Sequence, residues 1–212
     1  MRKLLRILTI FFLIFISTRL FASPDVAKPD VHVGDFWSWQ HINGLANEKD
    51  FTQIEDVIEI SDTEIRTRVR VKGKSNSAVW TYNRDWNPVD VGSAQYSPYL
   101  KDLIFPLEIG EKWDGTADKM LFSNGKHGKF IYKGEIVAYE KITVPAGTFD
   151  AFKVNVVLDA TGTDEDANVG NTILNYWYAP AAKRYVKREE TFKRDGRVRS
   201  KDIYELLEYS LR

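Results

Sequence analysis

The stretch from 142 to 162, "ITVPAGTFDAFKVNVVLDATG", sets a Pro-Ala-Gly break between two runs of β-forming residues. Pro145 removes a backbone donor and fixes φ, and Gly147 permits a positive φ, so the break ends one strand and aims the next. Beyond it Phe149, Ala151 and Lys153 fall on one face and Phe152, Val154 and Val156 on the other, which is the alternation of a strand. The segment holds no base or nucleophile in a usable arrangement. It therefore reads as the corner of an antiparallel sheet and not as a catalytic loop.

The same period of two runs outward from this corner in both directions. In "EIRTRVRVKG" at 64 to 73, Arg66, Arg68, Arg70 and Lys72 share one face while Ile65, Thr67, Val69 and Val71 share the other, a half-buried strand with a wet side. Similar runs stand at 51–60, 77–83, 128–144, 148–159, 171–179, 184–194 and 198–211, separated by Gly, Asn, Asp or Pro. This pattern predicts an all-β chain built on an antiparallel sheet of eight or more strands. In the last run Ile203, Leu206, Leu207 and Ser210 also have helical spacing, but the alternation ahead of them favours a strand.

The first residues are of another kind. "MRKLLR" gives a basic start and Ile7 to Ile16 an apolar run, which together read as a secretory signal peptide over 1–22 with cleavage after Ala22. The uncharged interval from Ile7 to Thr18 is too short for a bilayer core that needs roughly 20 residues, so no transmembrane segment is expected in the mature chain. Residues 23–30, with two prolines and no periodicity, read as a flexible lead-in to one β domain over 31–212. Loss of 1–22 removes Arg2, Lys3, Arg6 and Arg19 and no acid, leaving 26 basic against 30 acidic residues, a net charge of −4. A nucleic-acid partner would call for a basic chain. The absence of cysteine excludes a disulfide framework, thiolate metal sites and an acylated lipoprotein cysteine. The expected product is a periplasmic or secreted domain.

An internal echo divides the domain. "VHVGDFWSW" at 31–39 and "LEIGEKWDG" at 107–115 share an apolar residue, Gly, an acid, a variable residue and Trp, aligning Gly34 with Gly110 and Trp37 with Trp113. Two similar β-halves, 31–104 and 105–212, sharing one core are the corresponding expectation.

"VPAGTFDAFKV", followed by "YWYAPAAKRYVKRE" and preceded by "FPLEIGEKW", resembles a set of uncharacterised bacterial envelope β-domains with a Val-Pro-Ala-Gly-Thr-Phe hairpin, an aromatic strand ending in Ala-Pro and a basic return strand. The resemblance covers roughly residues 105 to 209. Such domains are similar to the half-barrels of periplasmic lipoprotein carriers. The resemblance thus implies a half-barrel whose concave sheet holds an acyl chain.

Groups that could do chemistry are sparse. His32, His41 and His127 lie far apart and none has metal-ligand spacing; no Gly-x-Ser-x-Gly elbow and no glycine-rich phosphate loop occurs. Asp164, Asp166 and Asn168 have the alternate spacing of a calcium loop, but the glycine falls one place late at Gly170 and Asn175 stands where a bidentate Glu is required, so a solvated hairpin tip is the better reading. No cofactor, no metal and no catalytic residue is expected. The basic stretch 183–201 could approach an anionic surface, yet Glu189, Glu190 and Asp195 interrupt it and a solvated strand pair is favoured.

Aromatic residues are the unusual feature. Trp37 with Trp39, Trp80 with Tyr82, and Tyr176 with Tyr178 each share a strand face, and these six are the candidate ligand-binding residues, with ordinary core filling as the competing reading. The favoured function is an exported, non-enzymatic binding protein that holds a lipid-like or other apolar small molecule on a concave sheet. The alternative is a module that docks to another envelope protein by a sheet edge or an aromatic face.

Overall fold

A computed structural model of the protein describes residues 26–92, 94–122, 125, 127–162 and 170–212. The leader read at 1–22 and the aspartates of the calcium-like spacing, Asp164 and Asp166, lie outside the described residues. Twelve strands run in chain order: β1 Phe36–Asn43, β2 Glu48–Ile60, β3 Glu64–Val71, β4 Ser77–Asn83, β5 Pro88–Val91, β6 Ala94–Ser97, β7 Lys112–Leu121, β8 His127–Val144, β9 Gly147–Gly162, β10 Gly170–Ala179, β11 Arg184–Arg194 and β12 Arg197–Ser210. Each pairs antiparallel with its neighbour in sequence, and β1 pairs with β12 through Phe36↔Ser210 to Asn43↔Asp202, so the sheet closes into a barrel. The all-β antiparallel architecture is as the alternation predicts, and β12 is a strand throughout. Closure satisfies both edges that an open sheet or half-barrel would expose.

The wall obeys the alternation read from the sequence. On β3, Ile65, Thr67 and Val69 are buried inside while Arg66 and Arg68 are exposed outside. Arg66 reaches Glu59 at 2.7 Å and Arg68 reaches Asp56 at 2.6 Å across the outer face of β2. Lys112 and Glu135 make a similar outer pair between β7 and β8 at 3.3 Å. Charges on an outward wall are costly against lipid tails, so these strands face water. Among the described residues no helix is long and apolar enough to cross a membrane.

The Pro-Ala-Gly break is a corner, with Val144 paired to Gly147 and Gly147 at φ +134°. It also has a docking partner. The β11–β12 ladder ends at Lys187↔Glu205, leaving the next carbonyl of β12 outside that ladder, and Ala146 N–H donates to Leu206 O at 2.9 Å. The tip of the β8–β9 hairpin thereby ties itself to a strand three places away around the barrel.

The two echoed motifs build alike turns. Gly34 stands at φ +92° and Gly110 at φ +89°, a region that disfavours a side chain. Gly34 N–H donates to Val57 O at 2.9 Å while Val57 N–H donates to Asp35 O at 2.9 Å; Gly110 and Glu111 exchange the same pair of bonds with Ile136 at 2.8 and 3.0 Å. Each turn launches a strand whose second residue is a buried tryptophan, Trp37 on β1 and Trp113 on β7.

Strand β7 has weak β-formers, and the cross-strand pairs explain how it holds. Trp113 lies opposite Gly134 and Gly115 opposite Tyr132, so each aromatic ring covers a glycine on the facing strand. A Cβ added at Gly134 would stand 2.1 Å from the Trp113 ring. Gly134→Ala is therefore expected to destabilise the barrel by about 2 kcal/mol, the cost of overpacking a filled site, and Trp113→Phe in the same chain should recover part of it. Urea melts of the single and double variants check this; no change in the midpoint for the single variant would mean that the ring does not rest on the glycine.

Candidate functional site

Twelve strands enclose more space than the wall residues fill. At the end where β1, β5, β7 and β11 begin, the space is closed by the long connection between β6 and β7. This segment buries Leu100, Asp102, Leu103 and Leu107. A single side chain folds it inward: buried Asn87 accepts the N–H groups of Asp102 and Leu103 at Oδ1, both at 2.7 Å, and donates from Nδ2 to Leu103 O at 3.0 Å. Trp113 Nε1 donates to Lys101 O at 2.9 Å and fixes the segment from the other side.

Above this floor remains a cavity of about 510 Å³. It extends from Trp86, Leu103 and Arg184 at the floor to Gly92, Thr172, Phe192 and Ser200 near the opposite strand ends, where the lining becomes half exposed or exposed. Strand alternation delivers its walls: Trp80 and Tyr82 from β4, and Leu174, Tyr176 and Tyr178 from β10. Phe130 from β8 and Leu158 and Ala160 from β9 complete the apolar side.

The other side is polar. Asp102, carried inward by the Asn87-held segment, accepts the Tyr176 hydroxyl at Oδ2 at 2.7 Å. Its Oδ1 is buried with no hydrogen-bond partner among the described residues. Burial pushes the Asp102 carboxyl up to about 6, against the Tyr176 bond and the Arg188 charge, which pull it down. Burial, reinforced by Asp102, holds the Tyr176 hydroxyl well above its ordinary value, so it stays a donor.

Two arginines from β11 complete this side. Arg184 is buried, with Nη2 3.1 Å from both oxygens of buried Glu55 and its guanidinium 4.0 Å from the Trp86 ring centre and 4.5 Å from that of Tyr82. Arg188 pairs with Glu190 and lies between the rings of Tyr176 and Tyr204 at 5.7 and 5.6 Å. The barrel wall surrounds it, yet 26% of its side-chain surface remains accessible because it faces the open cavity. Arg184 Nε, Arg188 Nε and Trp86 Nε1 are buried donors without a partner among the described residues.

Of the six aromatic candidates, Trp80, Tyr82, Tyr176 and Tyr178 line this cavity. Trp37 and Trp39 do not. Both are fully buried, their rings stack at 6.5 Å, and their indole N–H groups donate to Ala182 O at 2.7 Å and Tyr185 O at 3.2 Å. With polar tips satisfied by backbone and faces covered by Trp86 and Tyr185, they are filled core. The stretch 183–201 is likewise not simply a solvated strand pair, since Arg184, Arg188, Glu190 and Phe192 face the lumen. His41 lies on β1, buried, with Nε2 3.0 Å from Asp202 and Nδ1 3.3 Å from Asp50.

Alternation along β11 contained the signal for the arginines, with Arg184, Arg188 and Phe192 at even spacing. Asp102 had none, for its position depends on a loop folded inward by Asn87. No family model matches the chain, and no curated protein matches it. Among solved structures it is similar to a candidate lipoprotein from Parabacteroides distasonis, at 14% identity and a TM-score of 0.58, covering 89% of this chain and 100% of that one. It is also similar to a candidate exported protein from Bacteroides fragilis with a YmcC-like fold, at 15% identity and a TM-score of 0.56, covering 88% of this chain and 100% of that one. At such identities what is shared is the fold of nearly the whole chain.

Proposed function

We propose that this chain is an exported, non-enzymatic binding protein of the bacterial envelope that holds a lipid-like small molecule inside its barrel. The observation that carries the reading is the cavity of about 510 Å³, within the size range of small-molecule sites, walled by Trp80, Tyr82, Tyr176 and Tyr178 and set above a built floor. The basic and apolar leader supports export, as does likeness in fold to a candidate lipoprotein and a candidate exported protein. Similarity of the hairpin region to lipoprotein-carrier half-barrels supports a lipid-like occupant, here enclosed and not laid on an open sheet. The polar groups serve recognition: Arg184 and Arg188 are tied into ion pairs, and Asp102 accepts the Tyr176 hydroxyl. Docking by strand addition would need a free sheet edge, and barrel closure removes it.

The test is titration with the uncharged environment-sensitive probe N-phenylnaphthylamine. Wild type should bind it with a fluorescence gain, and Tyr178→Ala and Trp80→Ala should each weaken binding by about tenfold, since each removes an aromatic wall of the site. Trp39→Phe, which changes only filled core, should leave binding within about twofold. A wild type that binds no probe, or variants that all bind alike, would remove the support for the reading.

A further inference from the structure

The charges of the lumen are arranged so that one is left over on each side. Glu55 answers Arg184 and Glu190 answers Arg188, while Asp102 has no cation within ion-pair distance among the described residues. Lys119, over the Phe130 ring at 4.8 Å, is the remaining cation of the lining. Counted together, these groups cancel. An ionised head entering such a space would unbalance it and meet a charge of its own sign: a carboxylate would meet Asp102, and an ammonium would meet Arg184, Arg188 and Lys119.

The unpartnered atoms add a second constraint. Asp102 Oδ1 requires a donor, and the Nε–H groups of Arg188 and Arg184 and the Nε1–H of Trp86 require acceptors. Asp102, Arg184 and Trp86 are each more than nine-tenths buried, and all four line the cavity. A hydroxyl group is the simplest neutral function that both donates and accepts. Opposite this cluster stand the apolar side chains Phe130, Leu158, Ala160 and Leu174, with Lys119 over the Phe130 ring.

We propose that the lumen selects an uncharged amphiphile with a hydroxyl-bearing head, which donates to Asp102 Oδ1 and accepts from the unpartnered arginine and tryptophan N–H groups, while its apolar tail lies along the Phe130 and Leu158 wall. This rests on the reading of the barrel as a lipid-like carrier and names the class of head it takes. Selection arises because a hydroxyl both donates and accepts on the polar side without adding a buried charge, whereas a carboxylate can only accept there and is repelled by Asp102, and an ammonium can only donate and is repelled by the arginines and Lys119.

Calorimetric titration of the whole mature chain at pH 8 with monodecanoylglycerol, decanoate and decylammonium, all below their micelle concentrations, separates the outcomes. The glycerol ester is expected to bind at least about tenfold more tightly than either ion. In Asp102→Asn, which removes the charge and leaves its one amide oxygen to the Tyr176 hydroxyl, decanoate should gain about tenfold relative to the ester. If all three bind wild type equally, or an ion binds best, the head assignment is overturned and the carrier reading stands. If Asp102→Asn leaves the preference against decanoate intact, the head does not sit at Asp102 and the proposal fails. If no ligand of the three binds and N-phenylnaphthylamine does not either, both readings fall together.

Discussion

Arg184→Leu is expected to cost about 3–5 kcal/mol of stability, the usual penalty for removing one member of a buried ion pair. The cost comes less from the lost attraction than from what is left behind. Glu55 is fully buried, and its carboxylate is held by Arg184 and by the Thr67 hydroxyl at 2.8 Å. Without the guanidinium it would keep one neutral hydrogen bond for a full negative charge. A second change should therefore restore much of the loss: Glu55→Gln in the Arg184→Leu chain removes the stranded charge and retains an acceptor for Thr67. Arg184→Lys should not substitute, because a compact, strongly hydrated ammonium cannot lie flat over the Trp86 and Tyr82 rings as the guanidinium does. Denaturant unfolding of the four chains makes the comparison. A single-variant cost below about 1 kcal/mol would show that water reaches Glu55 and that the floor of the lumen is open.

The pair also shows what a sequence can and cannot reveal about this fold. Alternation placed Thr67 inward and Arg66 and Arg68 outward on β3, and the structure agrees residue by residue, because a one-residue slip would bury arginines against tryptophans. The β4 and β11 runs match to the residue. Strands β5 and β6 span four residues each, too few for a period to be counted, and β7 mixes Gly115, Asp114 and Asp118 into its run, so that its pairing rests on Trp113 and Tyr132 covering glycines across the ladder. Closure was not legible either, since it depends on β1 meeting β12 across the full length of the chain. Within the site, same-face aromatics stood out in the sequence, but period two cannot tell a ring that lines a cavity from one that fills the core. For Trp37 and Trp39 that distinction lies in carbonyls of residues 182 and 185, more than a hundred positions away.

Asp102 gives the barrel a pH dependence whose sign follows from its position. Unfolded, its carboxyl titrates near the ordinary 3.8; folded, burial holds it at about 6. The folded chain thus keeps a proton that the unfolded chain has released between those values, so the stability linked to Asp102 is fully present below 3.8 and is lost as the pH rises through 6. A displacement of this size corresponds to about 3 kcal/mol. The groups that set it are Tyr176 from β10, Arg184, Arg188 and Glu190 from β11, and Tyr96 from β6, all of which remain in Asp102→Asn. The quantity to measure is therefore the difference between wild type and Asp102→Asn in urea unfolding at pH 5 and at pH 8, in which every other titrating group cancels. The variant should gain on wild type between the two by about 1.4 kcal/mol, the part of the displacement that lies above pH 5. A hydroxyl donating to Oδ1 would stabilise the ionised carboxylate and bring its titration back toward the ordinary range, so saturation with monodecanoylglycerol should shrink the wild-type loss at pH 8 beyond its effect at pH 5. Parallel pH profiles for wild type and Asp102→Asn would show that the carboxylate is solvated in the fold, and the lumen would then lack the buried acceptor on which recognition of a hydroxyl head depends.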